Sequence, residues 1–323
     1  MADYKDIIGL DIEAKSDNPT NVITGEIWFN TTTGKLSYKK ADGANTWTTG
    51  GDLNVGRRMH GGAGTQTAAL MFGGIGVTPP HAGIDQSLTE AYNGSSWTEV
   101  GDMNTAKYQF GDYGTQTAAA SVGSADAPEK KLHEQYNGTS WTETTDTNSD
   151  KQYAKADGTQ TAALAVDSNS GGTELWNGSG WTEVNDLNEQ RLWAASCGEA
   201  TAMLFFGGSP NGAASSGKTE LWNGTSWTEV NDTTPARHFL SGAGTSTAAL
   251  AINGQSTKTT QQWNGSSWTE VNDSSLDMNQ GAASGTQTSA LLFGSQIPGN
   301  TTKTEEWNPV DGTQTVDDAQ MVV

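Results

Sequence analysis

Short apolar runs closed by glycine punctuate an otherwise polar chain. Leu70-Met71-Phe72-Gly73-Gly74 and Leu204-Phe205-Phe206-Gly207-Gly208 are the clearest. Near-continuous apolar runs of this length suit buried strands. Elsewhere apolar and polar positions alternate, and few stretches carry Leu, Glu, Lys and Ala at helical spacing. The segment Gly25 to Tyr38 alternates on both sides of Thr32-Thr33-Gly34, which predicts a hairpin. Residues 1 to about 24 are polar and unpatterned, which predicts an attachment arm or a disordered tail. An all-β chain of many short strands follows.

These runs belong to a repeat. An aromatic residue, Asn-Gly, Ser or Thr, and then Trp-Thr recur from Tyr92 to Trp97, Tyr136 to Trp141, Trp176 to Trp181, Trp222 to Trp227 and Trp263 to Trp268. A divergent copy runs from Ala41 to Trp47. The second tryptophan falls at 47, 97, 141, 181, 227 and 268, so the intervals are 50, 44, 40, 46 and 41 residues. A period of about 40 to 50 residues is that of a four-stranded propeller blade. A second landmark, Gly-Thr-Gln-Thr-Ala-Ala or a variant, begins at Gly64, Gly114, Gly158, Gly198, Gly244 and Gly285. Both landmarks predict six blades.

Within one blade the pattern predicts a first strand near Met59 to Ala63, a Thr-Gln-Thr-Ala-Ala strand, and a variable loop such as Ile75 to Ser87. A third strand then ends at the aromatic residue, and an Asn-Gly turn of type I′ feeds the tryptophan strand. Small residues let neighbouring sheets approach the crowded axis. The last third-strand copy, Thr304 to Asn308, has no tryptophan strand after it, while Trp47 precedes any complete blade. Pairing Trp47 beside Trp307 would close the ring and remove sheet edges. The expected division is an arm and hairpin over 1–34, a six-bladed propeller over 35–310, and a C-terminal tail over 311–323.

Charge narrows the partners. There are 37 acidic against 17 basic residues, a net charge of −20. Such a surface repels phosphate backbones, so nucleic acid is an unsuitable partner. The single cysteine, Cys197, forms neither an intrachain disulfide nor a cysteine zinc cluster. Residues 1 to 10 show no signal peptide, and no apolar run approaches a membrane span. Synthesis in a cytoplasm without membrane insertion is the expectation.

The blade pattern, a Gly-Gly doublet after an apolar strand followed by an aromatic residue and then tryptophan, resembles kelch repeats. Gly73-Gly74 and Gly207-Gly208 keep the doublet; Val122-Gly123, Ile252-Asn253 and Phe293-Gly294 depart from it. The match covers about residues 35 to 310. The Asn-Gly-Ser-Ser-Trp-Thr-Glu-Val and Gly-Thr-Gln-Thr-Ala-Ala-Leu repeats are also similar to those of structural proteins of marine tailed phages, cyanophages especially. The segment Gly25 to Leu36 is similar to a hairpin of phage fibre and appendage proteins. The resemblance implies a virion component (a fibre, tail appendage or capsid decoration), present in many copies or as a homo-oligomer, and carries over no catalytic residue.

Several residues compete for functional and structural readings. Asp52, Asp102, Asp146, Asp186, Asp232 and Asp273 each follow a repeat tryptophan by five positions. A ring of cation sites is one reading; turns satisfying local N–H groups are the other, and recurrence in every blade favours it. The glutamates two after the tryptophan, such as Glu99 and Glu143, read as a solvent-facing outer strand. Trp47, Trp97, Trp141, Trp181, Trp227 and Trp268 suit sugar stacking or, better, blade-to-blade packing. Trp193 falls outside the repeat and is the better ligand candidate, with His81 and His133 in or beside the irregular loops Gly76 to Leu88, Ser124 to His133 and Ser209 to Gly217. The Asn-Gly-Ser/Thr sequons read as turns.

Enzyme motifs are missing. The four histidines are scattered without metal spacing, and no nucleophile elbow or phosphate loop occurs. Arg57, Arg58, Arg191 and Arg237 look too dispersed to hold a carboxylate substrate. No cofactor and no metal are expected. The expected function is a non-enzymatic virion surface protein, anchored to other virion proteins by its N-terminal segment and contributing to attachment to host-surface polysaccharide. The alternatives are a free lectin-like propeller and, behind it, a polysaccharide hydrolase.

Overall fold

The computed structural model describes residues 13–16, 27–32, 34–39, 45–210, 212–255, 257–299, 301–308 and 313–316. Two compact units form: residues 46–308, and residues 1–45 with 309–323. The larger is an all-β propeller of six four-stranded antiparallel sheets. Among the described residues no helix is long and apolar enough to cross a membrane.

The first blade runs from the axis outwards as Gly61–Gly64, Ala69–Phe72, Thr89–Tyr92 and Trp97–Glu99. The next four blades repeat this order, with innermost strands Gly111–Thr115, Lys155–Thr159, Ala195–Glu199 and Ser241–Thr245. The sixth is assembled from both ends of the unit. Ala282–Gly285, Ala290–Phe293 and Thr304–Asn308 accept Thr46–Thr49 as their outermost strand, with Trp47 opposite Trp307. Closure by the first tryptophan strand is therefore as the repeat register predicts.

Six clusters of buried apolar side chains fill the six interfaces between blades. Leu70, Phe72, Phe110 and Trp141 join the first blade to the second, and Met71, Trp97, Leu291 and Phe293 join the first to the sixth. Close packing at the axis demands small residues. A Cβ on Gly61 would stand 2.6 Å from the rings of both Phe72 and Phe110.

The Gly-Thr-Gln-Thr motif is not a strand, as its composition suggests, but the turn between the two inner strands. In the first blade it spans the gap between Gly64 and Ala69, with Gly64 at a φ of +105°. Its glutamine staples one blade to the previous one. Gln66 Nε2 donates to Trp307 O at 2.7 Å, Gln116 Nε2 to Ala69 O at 3.0 Å and Gln160 Nε2 to Tyr136 O at 2.7 Å.

The Asn-Gly turn also departs from expectation. Tyr92 pairs directly with Trp97, so four residues form the loop rather than the two of a type I′ turn. Gly94 takes a φ of +91°, and Asn93 Oδ1 accepts the N–H groups of Ser95 and Ser96, both at 3.0 Å. An asparagine side chain that satisfies two backbone donors makes the longer loop stable.

The smaller unit contains the hairpin Ile27–Asn30 and Lys35–Lys39, flanked by Glu13–Lys15 in parallel and by Thr313–Val316 in antiparallel pairing. Lys35–Lys39 thus belongs to this sheet, not to the propeller, and the expected boundary at residue 35 moves to 45/46. The tail expected over 311–323 supplies a strand at Thr313–Val316, because the edge of Lys35–Lys39 is open to pairing. Most of the arm expected over residues 1 to about 24 lies outside the described residues.

Candidate functional site

Connections between blades enter on one face of the propeller, and each is pinned by the same device. Five residues after each Asp of the Asp52 series stands Arg57, Lys107, Lys151, Arg191 or Arg237, with Met278 in the sixth copy. Four of these cations meet a buried glutamate of the blade they enter. The separations are 2.8 Å for Arg57–Glu90, 3.9 Å for Lys107–Glu134, 2.6 Å for Lys151–Glu174 and 2.7 Å for Arg191–Glu220. In the fifth copy Arg237 donates to Gln261 at 2.7 Å. The arginines that look dispersed in sequence are three members of one buried belt. Their heads are spent inside the fold, and burial pulls Arg57 and Arg237 below the ordinary arginine range.

The aspartates of the Asp52 series act structurally. Asp102, Asp186, Asp232 and Asp273 each accept the backbone N–H of the residue opening the third strand of their blade, at 3.0 to 3.3 Å. Asp52 instead pairs with Lys303 at 2.6 Å. Among the described residues no three His, Cys, Asp or Glu side chains gather to hold a metal ion.

Two positions beyond each cation site the chain takes a left-handed backbone: Met59, Gln109, Tyr153, Trp193, Phe239 and Gln280 all have φ between 50° and 61°. None is glycine, although glycine would adopt this conformation without strain. The six ring the axis. Met59 N donates to Gln280 O at 2.8 Å, Gln109 N to Met59 O at 2.9 Å and Phe239 N to Trp193 O at 2.8 Å. Trp193 is therefore in the repeat register, not outside it. What hides this is that its equivalents share a backbone conformation and no side chain.

Three of the six form an aromatic arc. Trp193 packs 4.5 Å from Phe239 and 6.5 Å, edge to face, from Tyr153. His238 closes one side, 5.5 Å from Trp193, and Ser215 Oγ bonds its Nδ1 at 2.9 Å. A shallow hollow of about 50 Å³ lies among Tyr153, Trp193, Phe239, Gln109, Gln280 and Lys155. Below it is an axial cavity of about 190 Å³, walled by the innermost strands. His60, Lys155, Leu240 and Gly281 line both spaces, so the hollow adjoins the cavity, and the two together are the funnel.

The funnel wall is lopsided. Asp112, Lys155, Asp157 and Ser196 line it from the second, third and fourth blades, against His60, Leu240 and otherwise glycine, alanine and serine from the others. Burial pushes Asp157 up to about 8, opposed by a hydrogen bond from Ser196, and raises Asp112 against the pull of Lys155. Burial also draws His60 down to about 3 and lifts the Cys197 thiol well above its ordinary value.

No protein-family model and no curated protein matches this sequence. A solved structure titled the structure of YjhT aligns with a TM-score of 0.64 at 8% identity, over 82% of this chain and 99% of that one. The likeness shows the fold. The site must be read from the chain's own residues.

Of the expected ligand residues, Trp193 alone lies in the funnel. His81 sits half-buried in the loop between Gly76 and Leu88, where its N–H donates to Thr78 O at 2.9 Å. His133 is core. It opens a third strand, is fully buried, and bonds Tyr113 Oη and Thr144 Oγ1, each at 2.8 Å. It occupies the place of Thr89, Thr219, Thr260 and Thr304, which accept the indole N–H of Trp141, Trp268, Trp47 and Trp97 at 3.1 to 3.2 Å. Trp181 donates to His133 in the same way at 3.4 Å. The recurrent tryptophans are thus interblade latches rather than sugar platforms. The sequence singles out none of the other funnel residues as a ligand contact, Asp112, Lys155, Asp157 and Ser196 on the wall and Tyr153 and Phe239 on the arc among them.

Proposed function

We propose that the chain is a non-enzymatic binding module displayed on the surface of a tailed-phage particle, with the loop-bearing face of its propeller turned to the host. The carrying observation is the segregation of the two faces. The left-handed aromatic ring and the irregular loops share one face, because both lie where second strands end and first strands begin. Among the described residues the opposite face carries the Gly-Thr-Gln-Thr and Asn-Gly turns, which repeat with little change, and the ends of the sixth blade at Thr46 and Asn308. A rigid platform with variable loops on one side is the usual arrangement of a recognition surface. The loop tip at Ile84 keeps a large apolar side chain 56% exposed.

The particle assignment draws on the similarity of the repeats and of the Gly25 to Leu36 hairpin to phage structural proteins. The kelch-like reading is supported by Gly73 and Gly74, at φ of +65° and +92°, and by Gly207 and Gly208, at +68° and +96°. In this reading the smaller unit, with its mixed sheet of N- and C-terminal strands, attaches the protein to other virion components. A free lectin-like propeller is the second reading, favoured by the aromatic arc at Trp193. Gold-labelled antibody on intact particles separates the two. Label on tail or head supports display on the particle; particles without label overturn it and leave the free lectin.

A further inference from the structure

The devices that hold the propeller together repeat around its axis: the glutamine staples, the tryptophan latches, the buried ion pairs and the left-handed connections. Folding accounts for whatever recurs in this way. The funnel does not recur. Its polar wall comes from three consecutive blades through Asp112, Lys155, Asp157 and Ser196, and its aromatic arc stands at the entrances to the third, fourth and fifth blades through Tyr153, Trp193 and Phe239. Both therefore lie on one side of the axis. The other side carries no charged residue; it is walled mainly by glycine, alanine and serine, with His60 and Leu240.

We propose that this funnel is a saccharide site, seating one uncharged pyranose ring with its C–H face on Trp193 and its hydroxyls on the wall of Asp112, Lys155, Asp157 and Ser196. The proposal rests on the reading of the loop-bearing face as a contact surface and names what that face holds. A sugar ring presents an apolar face and an edge of hydroxyls. An aromatic plate beside a few convergent polar groups is its complement. Four buried atoms of residues lining the site lack a hydrogen-bond partner within the protein: Trp193 Nε1, Asp157 Oδ2, His60 Nε2 and Ser284 Oγ.

Burial disfavours ionised sugars. The same loss of water that raises Asp112 and Asp157 penalises a charge brought in by a ligand. A ligand amine would in addition meet the ammonium of Lys155. The net charge of −20 further disfavours acidic polysaccharide. The cavity of about 190 Å³ is walled by the innermost strands along their length, and the ring enters it from the loop-bearing face as the terminal residue of a glycan.

The test is calorimetric titration of the full chain with methyl glycosides of neutral hexoses and N-acetylhexosamines, beside glucuronic acid and glucosamine. At least one neutral glycoside should bind saturably, and Trp193→Ala should weaken it at least tenfold with an unchanged melting temperature. Tyr153→Leu, on the same arc, should weaken it in the same direction and guards against a folding defect in the first variant. Saturable binding of none of the neutral glycosides overturns the proposal, as does equal affinity for the charged sugars or indifference to both substitutions. Labelled particles without glycoside binding would overturn this site and keep the particle reading; glycoside binding with unlabelled particles would do the reverse.

Discussion

The indole nitrogens of five of the six outer-strand tryptophans donate across a blade interface, and the exception makes the bond testable. Trp141 Nε1 donates to Thr89 Oγ1 at 3.1 Å, whereas Trp227 Nε1 is buried without a partner. Phenylalanine keeps most of the packing and removes the donor. Trp141→Phe should cost about 1 kcal/mol, the net worth of one hydrogen bond. Trp227→Phe should be close to neutral in the same denaturant titration. His133 gives a second prediction. Burial depresses its pKa from 6.5 to about 4. Between those values the unfolded chain takes up a proton that the native state refuses, so this residue's contribution is lost as pH falls from 6.5 to about 4. His133→Thr restores the residue that opens the third strand in the other five blades. Its folding free energy should fall less between pH 7 and pH 4 than the wild type's, by about 3 kcal/mol at 1.36 kcal/mol per pKa unit. Parallel acid profiles for the two proteins would contradict the assignment.

Four of the six connections between blades hold a cation and a glutamate out of water, fixed by backbone contacts as well as by each other. Lys151 Nζ lies 2.6 Å from Glu174, which also accepts the N–H of Asn148 at 2.8 Å. Removing one partner of a buried pair costs about 3 to 5 kcal/mol, because the survivor keeps its desolvation penalty. Lys151→Met should lower stability by that order, and Lys151→Met with Glu174→Gln should recover much of it. The protein already holds both halves of this experiment, with Gln261 opposite Arg237 and Met278 opposite Glu305. If the double variant were no better than the single, the belt would not be acting as paired charges. The connections also show what the sequence could reveal. Blade number, the closing pair Trp47–Trp307 and the latches were legible, because they repeat the same side chains at a fixed period. The belt was partly visible as Asp followed five places later by a cation. The ring of Met59, Gln109, Tyr153, Trp193, Phe239 and Gln280 was not, because only its backbone recurs. The Gly-Thr-Gln-Thr turn was misread because strand-favouring threonines surround a glutamine whose partners lie a blade away.

Closure unifies these parts. With Thr46–Thr49 in the sixth sheet, no propeller blade lacks its outermost strand, and the six inner strands hold the funnel wall in fixed positions. A rigid ring can carry irregular loops without structural cost to its core, so variation concentrates on one face while the other stays a row of short turns. The hollow at Trp193 lies on the variable side, and that face is the contact surface in the proposed function. The measurement that tests this most directly compares binding of purified protein to whole cells that adsorb the particle, for two sets of substitutions. Ile84→Asp and Trp193→Ala alter the loop face; Ser95→Asp and Thr225→Asp alter exposed turns on the other. The account predicts that the first pair weakens cell binding at least tenfold and that the second leaves it unchanged. Loss confined to the turn-face pair, or equal loss in both, would contradict it.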